Sequence, residues 1–179
     1  MFETLLVGGG NVALEKLTSL LTSSPDASIT VIAPIIKKEV KILTNKHPKV
    51  RLEQRVFCLE DLEHKSLVIL ATDDRKLHET ITALTRRQNI LTNVADTPGM
   101  CDFYLGSIVT KGDLKIAIST NGKSPTIAKR LREFLDEIIP SNIQESLENL
   151  QTIRNEITAG FHERVKQLNE LTRALVNKG

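Results

Sequence analysis

Residues 5–13 read Leu5-Leu6-Val7-Gly8-Gly9-Gly10-Asn11-Val12-Ala13 and are the most informative segment of this chain. An apolar run ends in three glycines, and a helical pattern follows at once. This order predicts a strand, a tight turn and a helix. The small residues Gly8, Gly10 and Ala13 fit the spacing G-x-G-x-x-A, which is typical of dinucleotide-binding turns.

Each glycine at this turn has a physical reason to be small. Gly8 allows a sharp turn in which a side chain would clash, and Gly10 allows the backbone to approach a pyrophosphate closely. The N–H groups at the helix start, together with the helix dipole, would hold the phosphates. We therefore predict that Gly8, Gly10, Asn11 and Val12 contact a dinucleotide. The alternative is a glycine-rich turn in an unrelated α/β protein.

The next segments extend this beginning into a β-α-β unit. Residues 11–22 carry an apolar helical face, and residues 28–33 form a second β-rich strand that ends at Pro34. Parallel strands joined in this way form a sheet through a right-handed crossover. Ala33 and Pro34 then lie at the carboxyl edge of the sheet, where we predict that they line the cofactor site.

The residues after the second strand leave the choice of cofactor open. NAD-binding folds usually have an acidic residue there, which bonds to the ribose, whereas this chain has Ala33-Pro34 followed by Lys37 and Lys38. The two lysines could lie near a 2′-phosphate, which would favour NADP. They could equally lie on a solvated helix face.

Further alternating and apolar runs predict the rest of the sheet. The expected elements are helix 36–46, strand 50–57, a short helical link at 61–63, strand 66–71, helix 75–88 and strand 90–95. Thr72 follows an almost wholly apolar strand, which is typical of the centre of a parallel sheet, so we predict that Thr72 contacts the cofactor. Asp73 or Asp74 is expected to cap the next helix.

Asp96 follows the strand at 90–95 and so lies at the same sheet edge. A carboxylate in that position can act as a general base beside a bound ligand. The alternative is that Asp96 only forms the turn before Pro98.

Two further strands are predicted at 103–109 and 114–118, joined as an antiparallel hairpin that is added to the parallel sheet. A polar, basic junction follows them. Ser124 and Pro125 are suited to the N-cap and the first position of a helix running to about 139. Free N–H groups and nearby cations predict a site for carboxylates or phosphates, although a capped helix with a solvated basic face is the alternative. The candidate residues are Ser119, Thr120, Asn121, Gly122, Lys123, Ser124 and Arg130.

Composition excludes several classes of function. The net charge of +2 and the 3% aromatic content argue against a nucleic-acid partner. We find no signal-peptide pattern and no run near the roughly 18 apolar residues of a membrane span, so we expect a cytoplasmic protein. The cysteines and histidines lack metal-ligand spacing, and we predict no metal site among Cys58, Cys101, His47, His64, His78 and His162.

Taken together, these motifs resemble the precorrin-2 dehydrogenases, the siroheme-synthase N-terminal domain family. The matching segments follow the family's order within residues 4–140. They are Val7 to Ala13, Ala71-Thr72-Asp73-Asp74, Asn93 to Pro98 with Cys101-Asp102-Phe103, and Ile116 to Leu131.

The resemblance implies a Rossmann-like parallel sheet with added antiparallel strands and a helical C-terminal region. It implies oxidation of precorrin-2 to sirohydrochlorin with NAD as acceptor, since family members often lack the acid after the second strand. Asp96 falls on the family's catalytic aspartate. Some members also insert ferrous iron, which the sequence leaves open, and members form homodimers with intertwined C-terminal parts.

We accordingly divide the chain into an NAD-binding domain (1–112), a dimerisation and substrate-binding segment (113–140) and a C-terminal helical domain (141–179). An apolar stripe from Ile143 to Leu175 recurs every three or four residues and must be covered. A break at Ala159-Gly160 is expected to split it into two helices. The alternative function is an NAD-sensing regulatory module that acts through these helices.

Overall fold

A computed structural model describes residues 2–173. The strands are β1 (Glu3–Val7), β2 (Ser28–Ile32), β3 (Val50–Glu53), β4 (Leu67–Leu70), β5 (Leu91–Val94), β6 (Ser107–Lys111) and β7 (Leu114–Ile118). The helices are α1 (Asn11–Ser23), α2 (Lys38–Thr44), α3 (Arg75–Arg87), α4 (Pro125–Ile138), α5 (Ile143–Glu156) and α6 (Phe161–Thr172), with short 3-10 helices at Leu59–Leu62 and Pro98–Met100.

Within the described residues, β1 to β5 form a parallel sheet in the order β3-β2-β1-β4-β5. The central strand β1 pairs with β2 on one side and with β4 on the other, so that Val7 lies opposite both Ile32 and Leu70. The strand order reverses at β1, and ligands of open α/β sheets bind at such a reversal, outside the carboxyl ends of the strands. The predicted Rossmann-like fold is confirmed.

The sheet is covered on both faces, as its apolar strands require. On one face, Leu6 and Val31 pack with Leu17 of α1 and Val40 of α2. On the other face, Leu5 and Val7 belong to a cluster with Ile81 of α3. Successive side chains of a strand point to opposite faces, which explains why Leu5 and Leu6 enter different clusters.

The predicted strand 50–57 is too long, because β3 ends at Glu53. After Glu53 the chain turns back, and the N–H of Arg55 donates to the Glu53 carbonyl at 3.1 Å. The Arg55 guanidinium then pairs with the carboxylates of Glu53 and Asp61. This local ion pairing ends the strand, although the alternating pattern continues. Helix α2 is likewise shorter than the predicted 36–46.

The predicted strand 103–109 is displaced, because β6 begins only at Ser107. The preceding segment bonds to β5 instead: the Asp102 N–H donates to the Thr92 carbonyl at 2.8 Å, and the Asn93 amide donates to the Phe103 carbonyl at 2.9 Å. The predicted hairpin of β6 and β7 is present, but within the described residues it forms its own two-stranded sheet rather than extending the parallel one.

The chain divides into two compact units. The first unit comprises Met1–Ser107 and Ile118–Ala128, and the second comprises Ile108–Ala117 and Lys129–Gly179. In the second unit, Gln144 of α5 exchanges hydrogen bonds with Asp113 at 2.9 and 3.0 Å. The expected break near 159–160 separates α5 from α6. The division into 1–112, 113–140 and 141–179 follows functional segments and stays a prediction.

Two remaining expectations concern the C-terminal region and the membrane. The end of the predicted apolar stripe, including Leu175, lies outside the described residues. Among residues 2–173, no helix has both the length and the apolar character that a bilayer crossing requires.

Candidate functional site

The glycine turn is packed against the end of β4. Gly8 has φ of +135°, and a Cβ placed on it would lie 2.2 Å from the carbonyl oxygen of Ala71. The Gly8 N–H donates to the Ile32 carbonyl at 2.9 Å, which continues the ladder between β1 and β2. Only glycine combines this backbone conformation with such a close approach.

Gly10 stands at the N-cap of α1 and faces open space. A Cβ on Gly10 would meet nothing within 4 Å, and Gly10 supplies no side-chain cap to the helix. The first intrahelical hydrogen bond runs from the Leu14 N–H to the Gly10 carbonyl at 3.1 Å. The N–H groups of residues 11–13 therefore have no acceptor within the helix. Open space beside free N–H donors fits the pyrophosphate of a dinucleotide.

The end of β2 lies next to this turn. Ala33 is buried, and its N–H donates to the Glu53 carbonyl at 3.3 Å, whereas Pro34 is exposed. Lys37 comes back over the glycine turn, where its Nζ donates to the Asn11 Oδ1 at 2.5 Å. The sequence predicts Lys37 on a helix face or near a 2′-phosphate, and no local pattern predicts its contact with Asn11, which depends on how the loop folds.

Thr72 is half-buried at the carboxyl end of β4 and is held by a histidine. Its Oγ1 lies 2.9 Å from the Nε2 of His78, a buried residue of α3. Burial lowers the pKa of His78, and the carboxylates of Asp74 and Asp73 oppose that shift. The imidazole is therefore neutral near pH 7, as a buried structural histidine requires. Asp74 is the N-cap of α3 and accepts from the Leu77 N–H at 3.0 Å.

Asp96 lies just past the carboxyl end of β5. The ladder continues to Ala95, whose N–H donates to the Leu70 carbonyl at 2.9 Å, and the chain then turns. Asp96 adopts φ of +56° and is exposed. Aspartate and asparagine tolerate this left-handed conformation better than most residues. The turn thus presents the carboxylate to solvent at the edge that also carries the glycine turn.

The loop that carries Asp96 is closed by a cysteine. The Cys101 Sγ accepts from the Val94 N–H at 3.3 Å and donates to the Val94 carbonyl at 3.2 Å. Beyond it, the Asp102 carboxylate accepts from the Thr92 N–H at 2.9 Å. The sequence predicts no metal site at Cys101, and the structure shows that the Cys101 thiol closes this loop through its hydrogen bonds to Val94.

The predicted anion-binding loop, residues 119–124, is built from its own hydrogen bonds. The Ser119 Oγ accepts from the Asn121 N–H at 3.2 Å, and the Thr120 Oγ1 accepts from the Ser124 N–H at 3.0 Å. Ser124 caps α4 by accepting from the Ile127 N–H at 3.2 Å, as predicted. These three hydroxyls shape the loop.

The two candidate cations of this junction, Lys123 and Arg130, belong to different units of the chain. Lys123 is exposed in the first unit. Arg130 belongs to the second unit, where its guanidinium donates to the Glu133 carboxylate at 2.9 Å.

Tyr104 connects the Asp96 loop with the loop at 119–124. Its hydroxyl lies 3.5 Å from the Pro98 carbonyl oxygen. A side chain placed on Gly122, where φ is +75°, would come within 3.7 Å of the Tyr104 ring. Tyr104 is the sole tyrosine of the chain, and no sequence motif predicts its position beside both loops.

The sheet order, the glycine turn and the free N–H groups of α1 together define a Rossmann-like dinucleotide-binding domain. Residues 1–107 match the family described as "Putative NAD(P)-binding". The chain belongs to this family. Residues 111–137 also match the family described as "Sirohaem biosynthesis protein central".

Curated relatives point in the same direction. The chain is 39% identical over 137 residues to the siroheme synthase of Methylococcus capsulatus, covering 76% of this chain and 28% of the relative. It is 38% identical over 163 residues to the siroheme synthase of Pseudoalteromonas translucida, covering 91% and 32%. The chain thus spans about a third of the length of these relatives.

A solved structure supports the fold. The structure described as SirC, precorrin-2 dehydrogenase, matches with a TM-score of 0.71 at 24% identity, over 95% of this chain and 84% of that one. At this level of identity the likeness concerns the architecture alone.

Proposed function

We propose that this protein is an NAD-dependent dehydrogenase that oxidises precorrin-2 to sirohydrochlorin in siroheme or cobalamin synthesis. The observation that supports this proposal most strongly is the position of Asp96 at the sheet edge that also bears the glycine turn. In the sheet, β5 lies two strands from β1, a distance of about 10 Å at the usual strand spacing. The siroheme synthases that match most of this chain support the choice of substrate.

The proposed reaction transfers a hydride from precorrin-2 to NAD and releases a proton. The bound nicotinamide supplies the hydride acceptor. Asp96 takes the proton as general base, because its carboxylate is exposed at the site and free to approach a ligand. The hydrogen bonds of Cys101 keep the loop of Asp96 closed during this step.

We propose that the loop at 119–124 binds carboxylates of the substrate and, as a separate proposal within the second unit, that Arg130 binds a substrate carboxylate. Precorrin-2 is a polycarboxylate, and this loop carries the exposed Lys123 at the positive end of the α4 dipole. The Tyr104 hydroxyl bonds to the Pro98 carbonyl in the loop of Asp96, and the Tyr104 ring lies beside Gly122 of the loop at 119–124. A carboxylate bound at 119–124 would therefore place the macrocycle near the base.

Within the cofactor site, we propose Gly8, Gly10, Asn11, Val12, Ala33, Pro34 and Thr72 as contacts of NAD. NAD is preferred to NADP on the family resemblance, and the matching family is described only as binding NAD(P).

We also propose a homodimer. In the second unit, Leu131, Phe134 and Ile138 of α4 are each about half exposed and follow one another at helical spacing. Such a stripe gains stability when it is covered by another chain.

The test is an anaerobic assay with purified protein, precorrin-2 and NAD, which follows NADH formation and the sirohydrochlorin spectrum. The informative variant is Asp96→Asn, since asparagine tolerates the φ of +56° and removes only the charge. Loss of a general base lowers the rate by about 10²–10⁴-fold, while NAD binding persists. Asp26→Asn, an exposed carboxylate before the amino end of β2, is the matched control and keeps full activity.

Two outcomes would count against this proposal. Wild-type protein that binds NAD but leaves precorrin-2 unchanged would reject the dehydrogenase and favour a regulatory NAD-binding module. Equal turnover by wild type and Asp96→Asn would keep the reaction and reject Asp96 as its base. Ferrous iron added after sirohydrochlorin has formed tests whether this chain also produces siroheme.

A further inference from the structure

The loop that leaves β2 is fastened to the glycine turn at a lysine. The Lys37 N–H donates to the Gly9 carbonyl at 2.9 Å, and the Lys37 Nζ donates to the Asn11 Oδ1 at 2.5 Å. The packing here is close, because a Cβ on Gly9 would lie 2.3 Å from the Ile35 carbonyl oxygen. One backbone bond and one side-chain bond therefore place Lys37 beside the first residue of α1.

This position is electrostatically unfavourable for a cation in the free protein. The N-terminus of an α-helix carries a partial positive charge, which disfavours a neighbouring ammonium group. Gly10 supplies no capping oxygen, and the first turn of α1, which the structure describes in full, contains no acidic residue. An anion bound between the Lys37 ammonium and the free N–H groups of α1 would relieve this repulsion.

We propose that Lys37 is a ligand of the cofactor's pyrophosphate. The inference rests on the NAD(P) binding of the family. The glycine turn brings the pyrophosphate to the start of α1, where the ammonium group lies. The pyrophosphate is common to NAD and NADP, so Lys37 contributes to the affinity for both. A contact with the 2′-phosphate would instead affect NADP alone.

The test measures dissociation constants by isothermal titration calorimetry with NAD and, separately, with NADP. Lys37→Gln removes the charge but keeps the backbone bond to Gly9, so thermal unfolding is expected to match wild type. We expect its Kd for both nucleotides to rise about tenfold, as for loss of a charged hydrogen bond. Lys37→Arg retains the charge and most of the affinity. Lys38→Gln removes the adjacent charge, at the first residue of α2, and binds as wild type does.

Salt dependence gives a second readout. The Kd of wild type rises with salt, because ions screen the attraction between Lys37 and the phosphates, and this dependence is weaker in Lys37→Gln.

Four results would overturn the proposal. A loss confined to NADP would assign Lys37 to the 2′-phosphate. Unchanged affinities in Lys37→Gln would exclude Lys37 as a ligand. Equal losses in Lys37→Gln and Lys38→Gln would indicate a general effect of net charge. Wild type that binds neither nucleotide would refute both the ligand and the NAD(P) site on which it rests, whereas failure of precorrin-2 turnover alone leaves the Kd values to decide.

Discussion

Alanine substitutions at Gly8 and Gly10 separate the structural role of the glycine turn from its binding role. In Gly8→Ala the new Cβ would lie 2.2 Å from the Ala71 carbonyl oxygen, whereas real Cβ contacts stay beyond 3.0 Å. The turn and the end of β4 must therefore move apart. The φ of +135° adds backbone strain, which costs about 1–3 kcal/mol, and overpacking adds about 1–3 kcal/mol.

The expected loss of stability in Gly8→Ala is about 3 kcal/mol or more. For a chain of this length, 1 kcal/mol lowers Tm by roughly 2–4 °C, so Tm falls by about 6–12 °C. In Gly10→Ala the backbone is extended, with φ of −90°, and the methyl group enters open space. Its stability is expected to fall by no more than about 1 kcal/mol, because alanine is a poorer N-cap than glycine, while NAD affinity falls at least about tenfold because the methyl group occupies the path of the pyrophosphate.

Thermal unfolding followed by circular dichroism and calorimetric titration with NAD measure the two effects. Gly160→Ala is the matched control, since a Cβ there also meets nothing within 4 Å and Gly160 caps α6 in the second unit. A Gly8→Ala protein with the same Tm as wild type would refute the packing argument. Normal NAD affinity in Gly10→Ala would refute the placement of the pyrophosphate at this turn.

Further predictions concern stability and its dependence on pH. The Arg55 guanidinium holds the pKa of Asp61 at about 2, against 3.8 for the free group, so the ionised carboxylate stabilises the folded state above pH 4, and this contribution is lost as pH falls towards 2. Asp61→Asn is expected to be less stable than wild type at pH 7, and its stability in urea unfolding is expected to fall less steeply as the pH is lowered. Asp74→Ala removes the cap on the Leu77 N–H and should cost about 1 kcal/mol in the same assay. Burial lowers the pKa of His78 below 6.5, so the unfolded chain takes up its proton first and wild type loses stability as pH falls through 6.5, whereas His78→Asn should lack this decline.

Each of these expectations has a result that contradicts it. If the free energy of unfolding of wild type and of Asp61→Asn fell equally as the pH is lowered, the ion pair would not stabilise the folded state. An Asp74→Ala protein as stable as wild type would show that the cap is dispensable. A decline through pH 6.5 that persists in His78→Asn would assign the proton uptake to another group.

The centre of the parallel sheet was predictable because β1 and β4 are buried on both faces and therefore read as nearly continuous apolar runs. The ends of elements were less predictable. Strand β3 ends where Arg55 meets Asp61, and the segment before β6 follows β5 because Asp102 and Asn93 bond to it. Those partners are up to ten residues apart in sequence, and a local pattern contains no information on which of them will meet.

Some features of the candidate site could likewise be predicted from the sequence, and others could not. The glycine turn, Thr72 and Asp96 could be named from the sequence, since each follows an apolar strand and parallel strands end at a common edge. Two features could not be named from the sequence: the hydrogen bonds by which Cys101 closes the Asp96 loop, and the contact of Tyr104 with Pro98. Both depend on loop conformations that short-range preferences do not specify.

The alternation of strands and helices and the position of the glycine turn follow from the amino-acid sequence, because burial and backbone conformation constrain residue type locally. The contact of Lys37 with Asn11, 26 positions away, and the hydrogen bond of Thr72 with the buried His78 depend on the folded arrangement. Hydrogen bonds between such side chains form only after packing of the sheet and helices has brought distant segments together.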